Sequence, residues 1–187
     1  MQPLTPDTIP AALAWLAAHS QGPLFLEHNL RHHGLAGDDP RSVHVWRGAG
    51  GMIGLTVGRV LLPQIPDPAA WPAACAALKG RAITGMIADA GQVAAARAAL
   101  SIPARTTLDR IEPAFALHLR DLIRPDTTGL RLRGITPGDL PLLYRWNADY
   151  RVETMNEAPA TAAKLARANI DAYAAGQSHA ILWRGAE

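Results

Sequence analysis

Cysteine and lysine are nearly missing from this chain. Cys75 is the single cysteine, which excludes an intramolecular disulfide framework and a cysteine-built zinc site. It sits among Ala73, Ala74, Ala76 and Ala77, a core-type setting with no basic neighbour before Lys79 to activate a thiolate. Only Lys79 and Lys164 are lysines, so arginine supplies most of the 18 cationic residues set against 16 acidic ones. A net charge of +2 with no concentrated basic run gives little footprint for nucleic acid. Arg131 and Arg133 share a predicted strand face, and Arg120 and Arg124 are close in sequence, but no aromatic residues interleave them. No apolar run approaches the roughly 20 residues a bilayer span requires, and no helix pairs a basic face with a bulky apolar one. The start, Met1-Gln-Pro-Leu-Thr-Pro-Asp7, lacks the basic-then-apolar pattern of a signal peptide. The expectation is a cytoplasmic protein with neither a nucleic-acid nor a membrane partner. Apolar residues, by contrast, are plentiful. They make up 49% of 187 residues, enough for a packed core in one ordinary domain or two small ones.

Hydrophobic periodicity predicts helices over Ala11–His19, opened after Pro10, and Leu24–His33, stopped by Gly34. Val43 and Val45 then alternate with His44 and Trp46. Gly48-Ala49-Gly50-Gly51 reads as a turn and Met52–Leu62 as the returning strand of a hairpin, ended by Pro63, Pro66 and Pro68. A helix over Trp71–Leu78, a short strand over Arg81–Ala88 and an Ala-rich helix over Gly91–Leu100 follow. Phe115, Leu117 and Leu119 alternate with Ala116, His118 and Arg120, which predicts a strand over Ala114–Leu122. Arg124–Gly129 is rich in turn formers and reads as a linker. Beyond it, Leu130 and Leu132 alternate with Arg131 and Arg133. Thr136-Pro137-Gly138-Asp139 opens a helix with a cap, a proline at the first position and an acid at the positive end of the dipole. Leu143, Trp146 and Tyr150 continue it at helical spacing. After Pro159 a second stripe runs through Ala162, Leu165, Ala166, Asn169, Ile170 and Tyr173 to Gly176. His179, Ile181 and Trp183 mark a final strand. Arg184-Gly185-Ala186-Glu187 is the kind of turn that precedes a returning strand, so the second unit reads as cut short. The order helix, helix, strand thus occurs twice, from Ala11 to Arg47 and from Pro137 to Arg184, with no residue-level repeat of fixed period.

Leu130-Arg-Leu-Arg-Gly-Ile135, Asp139-Leu-Pro-Leu-Leu-Tyr-Arg-Trp146 and Tyr150-Arg-Val-Glu153, in this element order, resemble the start of a GNAT-family N-acetyltransferase domain. Phe25-Leu-Glu-His-Asn-Leu-Arg-His-His-Gly34 resembles the N-terminal half of bacterial tandem-GNAT proteins. The resemblance implies an α/β (α+β) fold with a GNAT-like mixed, mostly antiparallel sheet flanked by helices. Residues 1–124 would form a degenerate GNAT-like unit and 129–187 the front part of a second. It implies acetyl transfer from acetyl-CoA to a primary amine on a small molecule or peptide. A competing reading is a non-catalytic GNAT-like module that binds a ligand or forms a homodimer.

The family signature places a Gly-rich loop between a strand and a helix, where backbone N–H groups hold the cofactor pyrophosphate. Arg47-Gly48-Ala49-Gly50-Gly51-Met52 departs from that pattern and joins two strands, so it reads as a hairpin turn. Asp89-Ala90-Gly91 joins a strand to a helix but has no glycine cluster. The acetyl-CoA site is therefore expected to be incomplete, with its cofactor-binding residues unassigned. The resemblance puts the acceptor side of the site at Trp146, Tyr150 and Glu153, whose spacing places them on nearly one helical face. Glu153 would act as the base that binds or deprotonates the amine, and Trp146, Tyr150 and Asn156 would bind substrate, with Glu157 close by. Packing of Trp146 and Tyr150 into a core is the alternative. His28 and His32, spaced i and i+4 beside His33 and Glu27, have metal-ligand spacing but no obvious third ligand, and no metal is expected. Ser20, Ser42, Ser101 and Ser178 lack the Gly-x-Ser-x-Gly setting of a nucleophile.

Overall fold

The computed structural model describes residues 1–19, 24–103, 106–113, 115, 117–176 and 180–184. The chain forms two compact units, Met1–Thr106 and Thr107–Glu187. The division lies upstream of the linker expected at 124–129.

The first unit runs β1 (Gln2–Pro3), α1 (Ile9–Ala17), α2 (Leu24–His32), β2 (Val43–Gly48), β3 (Gly51–Thr56), β4 (Val60–Gln64), α3 (Trp71–Leu78), β5 (Gly85–Met86) and α4 (Ala90–Ala99). Its strands pair in the order β1-β2-β3-β4-β5. All pairs are antiparallel except β4 with β5. The sheet is therefore mixed and mostly antiparallel, as expected. Alternation along the strands supplies two cores. Val43, Val45, Met52 and Leu62 pack with Ala12 and Leu16 of α1 and Leu26 and Leu30 of α2. Trp46, Ile53, Leu55 and Leu61 pack with Trp71, Ala74 and Leu78 of α3 and Ala96 of α4. Burying one such large side chain stabilises by about 1.5–3 kcal/mol.

Four strand boundaries differ from expectation. Of the strand expected over Arg81–Ala88, only Gly85–Met86 pairs, with Val60 and Leu61 of β4. The single strand expected over Met52–Leu62 is two, folded at Val57-Gly58-Arg59. The Val57 N–H donates to the Ser42 carbonyl at 2.8 Å and the Gly58 N–H to the Pro40 carbonyl at 2.7 Å, so the preceding loop holds the bend. Pro63 lies inside β4 instead of ending it. The Ile87 N–H donates to the Leu61 carbonyl, so residues 61, 63 and 65 turn their backbone groups to the outer edge. There a proline forfeits no ladder bond. At Ile65 the Gln92 side chain stands in for a strand, with its oxygen accepting from the Ile65 N–H and its NH₂ donating to the Ile65 carbonyl, both at 2.9 Å. Over Ala114–Leu122 the described residues form no strand, and Leu119–Asp121 is a short 3-10 turn. Ala114 and Ala116 lie outside the described residues. Alternation sorts side chains between faces, but a strand also needs a partner backbone, and none pairs with this segment among the described residues.

The second unit contains β6 (Leu130–Gly134), α5 (Leu140–Met155), α6 (Pro159–Gly176) and β7 (Ala180–Arg184). β6 and β7 pair antiparallel from Leu130↔Arg184 to Gly134↔Ala180. His179 lies outside the described residues. Ala162, Ala166 and Ile170 of α6 are buried, and their spacing forms one stripe of mostly small side chains that lets α5 approach.

Both units open with the same device. Thr5 and Thr136 have extended φ/ψ of −114/162° and −112/162°, and each heads a capping box over a short 3-10 turn with proline at its start. Each turn runs directly into a helix with proline at its second position, Pro10 in α1 and Pro141 in α5. Tryptophan follows at the same spacing from the threonine (Trp15 and Trp146), with an aromatic ring four residues on (His19 and Tyr150). Each unit then continues helix, strand, with the closing strand antiparallel to the opening one. The twofold order seen in the sequence thus has a residue-level core, Thr-Pro-x-x-(Ile/Leu)-Pro.

Gly51, with φ 146°, closes the two-residue β2–β3 turn opposite Gly48. A Cβ there would lie 2.5 Å from the Gln64 carbonyl oxygen and 2.8 Å from the Ile65 Cα. Both are backbone atoms and cannot swing aside. Gly51→Ala is expected to destabilise the first unit by about 3 kcal/mol or more, read as a lower urea midpoint.

Candidate acceptor face and anion cradles

α5 has two faces. Leu140, Leu143, Tyr144, Asn147, Ala148 and Arg151 are half-buried at the i, i+3, i+4, i+7, i+8, i+11 spacing of a packed helix side. Tyr144 ties this side to α6, because its hydroxyl donates to the Asp171 carboxylate and the Arg167 guanidinium lies 4.6 Å from its ring centroid. The Asp171 bond raises the Tyr144 phenol above its usual value, and desolvation adds to the rise, so the hydroxyl remains a donor. On the other side Trp146 is 59% and Tyr150 54% exposed, and Glu153 is exposed as well. Neither ring packs into a core. The structure therefore places Trp146, Tyr150 and Glu153 on one open helical face, as their spacing predicts. Asn156 ends the helix in the left-handed region at φ 53° and is exposed. Glu157 is committed elsewhere, since Arg151 Nη1 donates to both its carboxylate oxygens at 2.9 and 3.1 Å.

The entry to α5 is locked electrostatically. Arg133 of β6 donates two bonds to Asp139, at 2.7 and 2.9 Å. Asp139 also accepts from the Thr136 N–H at 2.8 Å and the Thr136 hydroxyl at 2.7 Å. The Arg133 bonds, then those from Thr136, hold the Asp139 carboxyl well below the usual aspartate range. The sequence indicates the cap at Thr136, but not that Arg133, six residues upstream, binds the same carboxylate.

Two strand-to-helix junctions of the first unit, β4 to α3 and β5 to α4, are places where backbone N–H groups could cradle a phosphate. Ahead of α3, Pro66, Pro68 and Pro72 have no N–H to offer, and the Asp67 carboxylate accepts from the Ala69 N–H at 2.9 Å. Ahead of α4, the Asp89 carboxylate accepts from the N–H groups of Gly91 at 2.9 Å and Gln92 at 3.3 Å. In both, a negative side chain already occupies the position of an anion. Arg47–Met52 is the expected hairpin turn, and Gly50 packs against the Asp67 side chain and Ala70 Cβ. None of these three segments fits the pyrophosphate of coenzyme A.

The other candidate groups have these neighbours. The His28 and His32 rings lie 4.5 Å apart. Glu27 binds Arg31, and His33 Nδ1 faces Asp39 at 3.1 Å. Bonds from the Arg41 side chain and backbone hold Asp39 well below the usual carboxylate range. Among the described residues, no group of three or more His, Cys, Asp or Glu side chains has a metal-holding arrangement. The Cys75 thiol donates to the Ala99 carbonyl at 3.5 Å, linking α3 to α4. The buried Ser42 hydroxyl donates to the His33 carbonyl at 3.0 Å. Ser101, at φ 52°, follows the end of α4. Ser20 and Ser178 lie outside the described residues. No helix among the described residues is long and apolar enough to cross a membrane. No protein-family model, curated protein or solved structure matches the chain.

Asp139 stabilises through its ionised form. Its folded-state ionisation lies below the usual 3.8, so its contribution is complete at neutral pH and fades as pH falls below that value. Asp139→Asn is expected to lower the melting temperature of the second unit at pH 7. The gap from wild type should close as pH falls below about 4, followed by helical circular dichroism.

Proposed function

We propose that this protein serves acetyl transfer from acetyl-CoA to a primary amine of a small molecule or peptide. The α5 face binds the acceptor amine, and the first unit is a GNAT-like unit without catalytic function. The observation that carries this reading is the exposed triad of Trp146, Tyr150 and Glu153, backed by a helix side wholly given over to packing. Two aromatic faces and one carboxylate suit an ammonium group. The rings attract a cation through their quadrupoles by about 0.5–1 kcal/mol at an exposed site, and the carboxylate pairs with it and is placed to take up a proton. A partner that stacks on the two rings buries apolar area that is otherwise exposed. Support for a GNAT-type framework comes from the mixed sheet, from helices on both its faces, and from the repeated Thr-Pro opening of the two units.

The carboxylates at the β4–α3 and β5–α4 junctions specifically favour the non-catalytic role of the first unit. They repel the anion that a transferase unit must grip. This unit is then a ligand-binding or dimerisation module attached to the acceptor-binding one.

A titration of the protein with primary amines, followed by backbone amide resonances, tests both assignments. Saturable shifts are expected at residues 146–156. Glu153→Gln is expected to weaken binding about tenfold, the worth of one charge-assisted hydrogen bond. Absence of shifts on α5 across aliphatic and aromatic amines would overturn the acceptor assignment. Acetyl-CoA is expected to leave the resonances around Asp67 and Asp89 unmoved. Shifts centred there, with the roughly 2.7 kcal/mol of stabilisation a ligand gives at 100 times its dissociation constant, would return the cofactor site to the first unit.

A further inference from the structure

At the end of the first unit's sheet where β3 bends into β4, a cavity of about 230 Å³ opens to solvent. His44, Leu55, Val57, Arg59, Arg81 and Ala82 line it together with Thr56. None of these residues is acidic. Neither Arg59 nor Arg81 has a carboxylate partner among the described residues. Six other arginines, Arg31, Arg41, Arg110, Arg120, Arg133 and Arg151, each lie beside a carboxylate. Two unpaired guanidinium groups at one small cavity are therefore a feature in need of a cause.

Both arginines are held in place. The Arg81 guanidinium lies 4.6 Å from the centroid of the Trp46 ring, and that ring is nearly buried and stacks towards His44, centroids 6.1 Å apart. Stacking fixes the plane of the guanidinium and leaves its N–H fork to point outwards. Arg59 is anchored through its backbone. Its N–H donates to the Thr56 carbonyl at 2.8 Å, its carbonyl accepts from the Thr84 N–H at 3.0 Å, and the following Val60 N–H donates to Thr56 Oγ1 at 2.9 Å. This backbone sits at φ 69°, a left-handed conformation that glycine or asparagine adopts far more readily than arginine. A long cationic side chain at a position suited to glycine carries strain, and strain of this kind gathers at binding sites.

We infer that the cavity is a binding site for a compact phosphate monoester, gripped by Arg59 and Arg81 with His44 on the cavity wall. The stacked Arg81 guanidinium and a second cation at Arg59 match the nearly two negative charges of a phosphate monoester at neutral pH better than the single charge of a carboxylate. The cavity of about 230 Å³ has room for a phosphate with a short tail. Leu55 and Ala82 give that tail an apolar wall. The site is at the opposite end of β4 from the α3 junction and does not depend on the acetyl-transfer reading.

Titration of the full chain with glycerol 3-phosphate, inorganic phosphate and glycerol, followed by backbone amide resonances, tests the site. Saturable shifts at residues 44, 55–59, 81 and 82 are expected with glycerol 3-phosphate and none with glycerol. Arg81→Gln is expected to weaken binding about tenfold. Arg59→Gly should do the same while raising the melting temperature, because it removes the left-handed strain. That opposition separates loss of a ligand contact from loss of fold. Arg31→Gln, which removes an arginine from α2, should leave binding unchanged. Binding of inorganic phosphate without glycerol 3-phosphate would overturn the ester assignment. Absence of local shifts at millimolar ligand would overturn the site itself, as would undiminished binding in both Arg59→Gly and Arg81→Gln, or an equal loss in Arg31→Gln.

Discussion

β3 has no solvent face, and the first unit is organised around that constraint. Every residue from Gly51 to Thr56 is buried. Met52 goes to one core and Ile53 and Leu55 to the other, so helices must cover both sides of the sheet. A strand in this position also needs room. Gly54 makes way for Leu26, whose Cδ1 lies 2.5 Å from where a Cβ would stand. Gly51 lets the chain turn beneath the Gln64 carbonyl. The hairpin, the bend at Arg59 and the two helical layers follow from keeping this one strand dry.

The sequence shows most of this where a signal is local. Helices over Trp71–Leu78 and Pro159–Gly176 are legible because their apolar spacing, prolines and glycine stops agree. The β2–β3 turn is legible because four small residues separate two β-branched runs. The bend at Gly58-Arg59 is hidden, because Met52–Leu62 is apolar on both faces and a fully buried strand shows no period. Pro63 misleads for a related reason. Whether a proline breaks a strand depends on which edge it faces, and that is known only once Ile87 is seen to pair with Leu61. The segment 114–122 shows the converse, an ideal alternation with no ladder among the described residues. The Thr-Pro openings were in plain view as residues, but they become a repeat only when both threonines are found with the same backbone angles.

The candidate acceptor face was legible to the same extent. Spacing alone brings Trp146, Tyr150 and Glu153 to one side of a helix. It does not say whether that side is inside or outside. Tyr144 and Asp171 settle this by fixing the opposite side against α6. The pairing of Glu157 with Arg151 likewise lies beyond any local pattern, since it spans the end of α5. The arginine cavity was invisible to sequence reading, because Arg59 and Arg81 belong to different elements and meet only through the fold. The sole clue is an arginine directly after Gly58 in a tight turn.

The outer edge of β4 has one more property. β5 covers only Val60 and Leu61, so the rest of that edge would be open to a foreign strand. Pro63 presents no donor there, and Gln92 occupies both backbone groups of Ile65. An incoming chain finds only a lone carbonyl to grasp, which is how natural sheets avoid fusing edge to edge. One proline and one glutamine guard this border of the sheet, and losing either would first be felt as self-association at high concentration.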